Sequence, residues 1–319
     1  MYLDKNASEA IKGVLILLIV FGHNHVLCPN DVSGGIMDYL YQFHVMGFFI
    51  LPFFYGREIK DIKGEIGAII IRCWVPYFWI CILCWLVYSL FKREFDFGWE
   101  HIYAFFNGTQ TPIRTYFGFV FPWFLPAFCS FSIMLMLSRK YKNLMWTFFI
   151  LSVITYFFTW EQFFEFKNTI PLGVGLAIHY FASGVITFYL HKMSMWSKYV
   201  GAILFVLMSV CWWNGVYLGV LVKFMPSAFF LTLICILPFF NNKYIRYIGN
   251  YSLGIYLLHM FFVNATYMLL PRNILWGIIG LVISLLGSLL ITHFVCRMRI
   301  LRVLLFPKSW NELNTTLRK

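Results

Sequence analysis

Charge is the first scarcity in this sequence. Asp, Glu, Lys and Arg make up 12% of the 319 residues, and only 13 are acidic, against about 25% charged in soluble domains. A soluble reading would need roughly two ordinary domains, with too little charge to coat them. Alternation is missing as well. Apolar residues come in continuous runs, which excludes a membrane barrel and argues for helices. No internal repeat stands out, so the inverted-repeat signature of many carriers is absent. A cleaved leader is not expected, because Lys12 interrupts the first apolar run and no small-residue cleavage site follows it. The eight cysteines lie mostly inside apolar runs. Cys81 and Cys84 form a C-x-x-C with no second pair or histidine to complete a metal site, so packing is the expected role and no metal is expected.

What the chain has in abundance is apolar length. Hydrophobic residues reach 61%, with 37 Phe, 19 Tyr and 12 Trp, more than a soluble core could absorb. The expectation is an all-α polytopic membrane protein, a single integral-membrane domain over residues 1–319. Ten candidate spans run near 9–28, 38–56, 66–91, 117–138, 143–160, 170–190, 198–214, 217–240, 250–270 and 275–297, each about long enough to cross. Sorting the cations by loop puts nineteen on one side, from Lys5, Arg57 and Lys60 to Arg318 and Lys319. Five fall on the other side: Lys92, Arg93, Arg114, Lys167 and Arg272. That bias predicts both termini in the cytoplasm. The net charge of +12 is thereby spread over loops, and no nucleic-acid partner is expected. Asp31 and Asp38 fall in the first outer loop. The outer connection Lys92–Tyr116 predicts either an interfacial helix around Trp99–Phe106 or part of an acceptor site. Residues 298–319 form a basic cytoplasmic tail, and from Arg297 to Trp310 cations alternate with Leu, Val and Phe as in a helix lying on anionic membrane lipids.

The chemistry concentrates in Ile11–His25. Lys12 and His23 are eleven residues apart, about 20° past three helical turns, so they share one face and lie about 16 Å apart along the axis. A cation inside a span costs about 2.5–3.5 kcal/mol at its centre, so the shared stripe predicts a polar passage rather than a lipid face. His44 sits at a depth similar to His23, where the two can share a cavity. His25 points about 200° away from His23 and is expected at the interface. Glu9 and Lys12 are spaced to pair. Arg72 alone reads as a snorkelling residue; with Lys12 it offers two cations to the phosphates of a cytosolic ligand. Ser252, Tyr256 and His259 follow one stripe of the ninth span, with His259 near mid-membrane, a line equally suited to helix–helix hydrogen bonding. Trp123, between Pro122 and Pro126, reads as a belt aromatic, and Lys223 as a cation snorkelling out of the eighth span. His179, His191 and His293 are assigned no function.

These residues form a recognisable series. Glu9-Ala-Ile-Lys12-Gly followed by Phe21-Gly-His23 resembles the first-helix signature of the integral-membrane acyltransferase 3 family. Phe43-His44-Val-Met-Gly-Phe-Phe is similar to its second-helix segment. Arg72-Cys-Trp-Val-Pro76-Tyr77, Trp123-Phe-Leu and Ser252-Leu-Gly-Ile-Tyr256-Leu-Leu-His259 resemble its later landmarks, in the same order. The match covers residues 7–265. Three positions depart from the pattern: Lys12 stands where arginine is usual, Gly47 where proline is common, and Ile69 where many members carry a second arginine.

The resemblance implies O-acyl transfer from acetyl-CoA, or a close acyl-CoA, to a hydroxyl of a glycan or lipid-linked sugar, in a bacterial inner membrane. It implies Glu9, Lys12, Arg72 and Trp123 for the donor and His23 as general base. An acyl-His intermediate is a variant. His44, or the Ser252–Tyr256–His259 stripe, would orient the base or steady the oxyanion. A proton-coupled secondary transporter is the rival from another class; it would move its solute without consuming CoA.

Overall fold

The computed structural model describes residues 2–29, 34–56, 59 and 61–317. Asp31 and the cations Arg57, Lys60, Arg318 and Lys319, used in the sorting above, lie outside the described residues. Among the described residues every regular element is helical, with no strand. In chain order the first nine α-helices are α1 Lys5–Gly22, α2 Ile36–Tyr41, α3 Met46–Ile50, α4 Ile62–Lys92, α5 Trp99–Asn107, α6 Gln110–Phe117, α7 Phe124–Lys140, α8 Lys142–Thr155 and α9 Trp160–Thr169. They are followed by α10 Val174–Met193, α11 Ser197–Trp213, α12 Met225–Phe240, α13 Lys243–Asn250, α14 Ser252–Leu269, α15 Ile274–Arg297, α16 Arg299–Leu305 and α17 Trp310–Leu317. Tight 3₁₀ turns at Leu51–Phe54, Phe121–Trp123 and Gly219–Phe224 join some of them.

All ten predicted apolar runs are helical in whole or in part, but they are not equivalent. Among the described residues six helices are long and apolar enough to cross a membrane: Ile62–Lys92, Phe121–Lys140, Val174–Met193, Gly219–Phe240, Ser252–Leu269 and Ile274–Arg297. Two more, Lys142–Thr155 and Ser197–Trp213, are apolar but shorter. α1 has the length yet carries Lys5, Glu9 and Lys12. The predicted span 38–56 is broken into α2, α3 and a 3₁₀ turn. The break falls between Tyr41 and Met46, and Pro52, which lacks an N–H, lies in the 3₁₀ turn Leu51–Phe54.

The chain forms two compact units, residues 1–56 with 183–294, and residues 57–182 with 295–319. In the first unit α1 is the axis. Asp4 caps it, accepting from the Ala7 N–H at 2.7 Å, and Ile11, Leu15, Ile16, Ile19 and Val20 are buried along its length. Lipid is as apolar as leucine, so helices in a membrane associate through close contact rather than hydrophobic drive. Gly13 and Gly249 supply that contact: a Cβ on Gly13 would strike the Ile245 carbonyl, and one on Gly249 the Glu9 carbonyl. α1 and α13 therefore cross backbone to backbone.

In the second unit α4 packs on α7, and the C-terminal segment folds against α4. Trp79 Nε1 donates to the Leu304 carbonyl at 2.9 Å, Trp310 lies 3.5 Å from where a Gly67 Cβ would be, and Val303 is buried. Arg302 pairs with Glu312 at 2.5 Å. The basic tail is thus two short docked helices rather than one helix lying apart. A helix does form in the connection Lys92–Tyr116: α5 turns Ala104 and Asn107 inward and leaves Trp99, Tyr103 and Phe106 exposed.

Candidate active site

Imidazoles gather at the C-terminal end of α1. His23 caps that helix, its backbone N–H bonded to the Ile19 carbonyl at 3.1 Å. Its ring lies 5.2 Å from the His259 ring, tilted by 41°. Tyr41 meets His23 edge-on at 5.9 Å and His44 edge-on at 5.0 Å. The Tyr41 hydroxyl stands 3.3 Å from one His23 ring nitrogen and 3.4 Å from the other. His44 and His259 are fully buried, His23 is 9% exposed and Tyr41 38% exposed. Tyr41 is the open member of the cluster.

Backbone carbonyls set the tautomers of the two buried rings. His44 Nδ1 bonds the Leu40 carbonyl, which can only accept. The proton is therefore on Nδ1, and Nε2 presents a lone pair. That Nε2 is buried without a hydrogen-bond partner, and a Cβ on Gly22 would lie 3.9 Å from it. His259 Nδ1 lies 2.6 Å from the Tyr256 carbonyl and 3.2 Å from the Ile255 carbonyl, which assigns the same tautomer. His23 makes no such backbone bond from its ring and is free to take a proton on either nitrogen. A ring able to gain a proton, beside rings held as acceptors and a tyrosine hydroxyl, is an arrangement suited to general acid–base work.

Of the predicted stripe on α14, His259 joins this cluster and Tyr256 packs on His259 at 5.8 Å. Ser252 is seven residues earlier, about 10 Å along the helix, and takes no part. Counting residues set His259 near mid-membrane and His23 near the outer end. Their ring contact puts them at one level instead. The expected sharing between His23 and His44 runs through Tyr41, a residue the sequence reading passed over. Its place three residues before His44 was the available signal.

The Lys12 end of α1 differs from expectation in two respects. Glu9 pairs with Lys5 at 3.8 Å, not with Lys12. Lys12 itself is half-buried, and one turn before it the Ser8 hydroxyl donates to Tyr55 Oη at 3.1 Å. The face joining Lys12 to His23 carries Ile16 and Ile19, at 0% and 1% exposure. Two buried isoleucines, not polar side chains, occupy that face between the two ends. Helical periodicity aligned the ends correctly but says nothing about what fills the turns between them.

Arg72 and Trp123 belong to the second unit. Arg72 is exposed, its Nε donating to the Ala68 carbonyl of its own helix at 3.0 Å. Trp123 is buried in the turn Phe121–Trp123, edge-on to Phe124 at 6.2 Å, rather than set on a lipid-facing belt. His25 is half-buried and packs on Tyr267 at 5.5 Å, apart from the cluster.

A multi-helix membrane protein with a buried imidazole cluster at the end of its first helix is the class these observations define. A family model described as an acyltransferase domain, that of the acyltransferase 3 family, matches residues 5–293, and the chain belongs to that family. It is a membrane acyltransferase. No curated protein and no solved structure matches the chain.

Proposed function

We propose that the protein moves an acetyl or short acyl group from cytosolic acyl-CoA to a hydroxyl of a glycan or lipid-linked sugar in a bacterial inner membrane, crossing it ten times with both termini in the cytoplasm. The observation that carries this reading is the contact among His23, His259 and Tyr41 at the end of α1. His23 removes the acceptor's hydroxyl proton as the oxygen attacks the thioester carbonyl. The O–acyl bond forms, the C–S bond breaks, and the proton passes from His23 to the departing thiolate. Imidazole is matched to that exchange near neutral pH. The backbone bonds from Nδ1 fix the His44 and His259 rings with Nε2 left as the acceptor, and Tyr41 is the donor nearest a developing oxyanion.

CoA is polyanionic, and Lys12 with the Ser8–Tyr55 pair is the polar group at the opposite end of α1. Lys12 binds its phosphates as a point charge, without the bidentate fork an arginine would give. Arg72 and Trp123 are assigned to the donor by their match to the family's motifs alone. For the pantetheine arm to reach His23 along α1, Ile16 and Ile19 must turn aside on binding. Membranes incubated with labelled acetyl-CoA and candidate glycans test the reading. Transfer by the wild type and its loss in His23→Ala are expected; full transfer by His23→Ala overturns the base. Lys12→Ala should raise the KM for acetyl-CoA; an unchanged KM removes its phosphate role. Solute movement without CoA consumption would replace the whole proposal with a carrier.

A further inference from the structure

The imidazoles of the cluster are not all held in the same way. His44 and His259 are each oriented through Nδ1 by a carbonyl of their own helix. The His23 ring, among the described residues, has no backbone bond. Its hydrogen-bonding neighbour is the Tyr41 hydroxyl, on a residue that is itself part-exposed. A ring without a backbone tie goes where its main chain goes. The place of His23 against His259 is therefore set by whatever fixes the chain at the end of α1.

Asn24 does this from the next position. It is buried and uses both ends of its side-chain amide. Oδ1 accepts from the Val26 and Leu27 N–H groups, each at 3.1 Å, and Nδ2 donates to the Gly277 carbonyl of α15 at 2.8 Å. Each partner can only donate or only accept, which assigns the amide orientation. The main chain closes the same turn. Its N–H donates to the Phe21 carbonyl at 3.0 Å, and its carbonyl accepts from Leu27 at 3.1 Å and Cys28 at 2.7 Å. α1 is thereby stopped at its cap, and the turn that follows is tied to α15. That helix is shaped to receive it. A Cβ on Gly277 would come within 2.9 Å of Leu27 and 3.0 Å of Val26. One on Gly280 would lie 3.2 Å from Thr266 Oγ1 and 4.0 Å from Asn24 Nδ2. The amide thus sits where α14 and α15 meet, in room that two glycines leave. Thr266 is seven residues beyond His259, on the same face of α14 and about 10 Å along it. What Asn24 grips is therefore the helix pair that carries His259.

We propose that Asn24 is a positioning residue for the transfer: its bond to Gly277 keeps the His23 ring beside the His259 ring, 5.2 Å away. Its purpose rests on the acyl-transfer reading; the placement of His23 does not. Two readouts on the full chain in detergent test it. Asn24→Ser keeps a short oxygen that can accept from the N–H groups of the turn but cannot span to Gly277. Peptide mass spectrometry after diethylpyrocarbonate treatment should show His23 carbethoxylated severalfold faster in Asn24→Ser than in the wild type, with His44 and His179 unchanged. Acetyl transfer to the glycan that the wild type modifies should lose about 10²-fold in kcat, the cost of displacing a catalytic group by about 1 Å, with the KM for acetyl-CoA unchanged. In a His259→Ala background the same change should cost kcat nothing further, because the contact it preserves is already gone. A loss that multiplies that of His259→Ala, an equal rise in labelling at all three histidines, or a kcat equal to that of the wild type overturns the proposal. Should Asn24→Ser fail to purify folded, Asn24→Asp, of the same shape with an acceptor in place of the donor, is read by the same criteria. Faster labelling of His23 in the variant with no acyl transfer by the wild type supports the placement and overturns only the enzymatic reading.

Discussion

Each of the two compact units buries histidine, and the surroundings of the two differ. In the second unit His179 is enclosed by its neighbours: Thr155 Oγ1 lies 2.8 Å from its Nδ1, the Phe163 ring stands 4.2 Å away, and Ser152 donates to its carbonyl at 2.8 Å. Hydroxyls and rings hold it on its own account. In the first unit the imidazoles face one another. His23 meets His259, Tyr41 joins His23 to His44, and the Nε2 of His44 has no hydrogen-bond partner. A buried polar group left without a partner costs about 1–3 kcal/mol, a cost expected where chemistry, not packing, selects the residue.

The sharpest break in that contrast comes from the first unit. His23→Ala and His259→Ala should each lower acyl transfer by about 10²–10⁴-fold while the detergent-solubilised protein keeps its melting temperature, measured on matched samples. His179→Ala should do the reverse, destabilising the second unit by about 1–3 kcal/mol with turnover per folded molecule unchanged. If His179→Ala abolishes transfer at full stability, the distinction drawn here between the two histidines is wrong.

A smaller effect tests the platform under the cluster. Gly249→Ala puts a methyl group against the Glu9 carbonyl, and overpacking of this kind typically costs about 1–3 kcal/mol. A lowered melting temperature is the expected reading. The smallest effect belongs to the C-terminal helices. The Arg302 guanidinium holds the Glu312 carboxyl below its usual range, aided by the Lys308 N–H. With the folded carboxyl more acidic than the unfolded one, the pair stabilises docking above the ordinary carboxylate range, and that contribution disappears as pH falls through the lowered value. Limited proteolysis should therefore release α17 faster in acid than at neutral pH, and Glu312→Gln should remove the difference.

Much of the fold could be read from apolar run length, since hydrocarbon leaves a backbone no alternative to satisfying its own hydrogen bonds. The run 275–297 became α15 within a residue at its N-terminal end. The run 38–56 did not become one helix: it breaks between Tyr41 and Met46 and ends in the 3₁₀ turn Leu51–Phe54, which carries Pro52. The site was partly legible. A spacing of eleven put Lys12 and His23 on one face of α1, where His23 is buried and Lys12 half-buried, and spacings of four and three put Ser252, Tyr256 and His259 on one stripe of α14, all three buried. Which partner each would meet lay beyond periodicity: Glu9 found Lys5, Trp123 turned into the protein, and Ser252 stayed out of reach.

By itself the sequence determined a helical membrane chain, the family it belongs to, and the polar residues that its apolar helices would have to shelter, because composition and periodicity act locally along the chain. Only the tertiary structure decided that His23 would lie against His259, that Tyr41 would bridge to His44, and that Ile16 and Ile19 would fill the turns above Lys12. Those outcomes depend on how α1 crosses α13 and α14. That crossing is set by two glycines more than two hundred residues apart, whose missing side chains matter only once the helices touch.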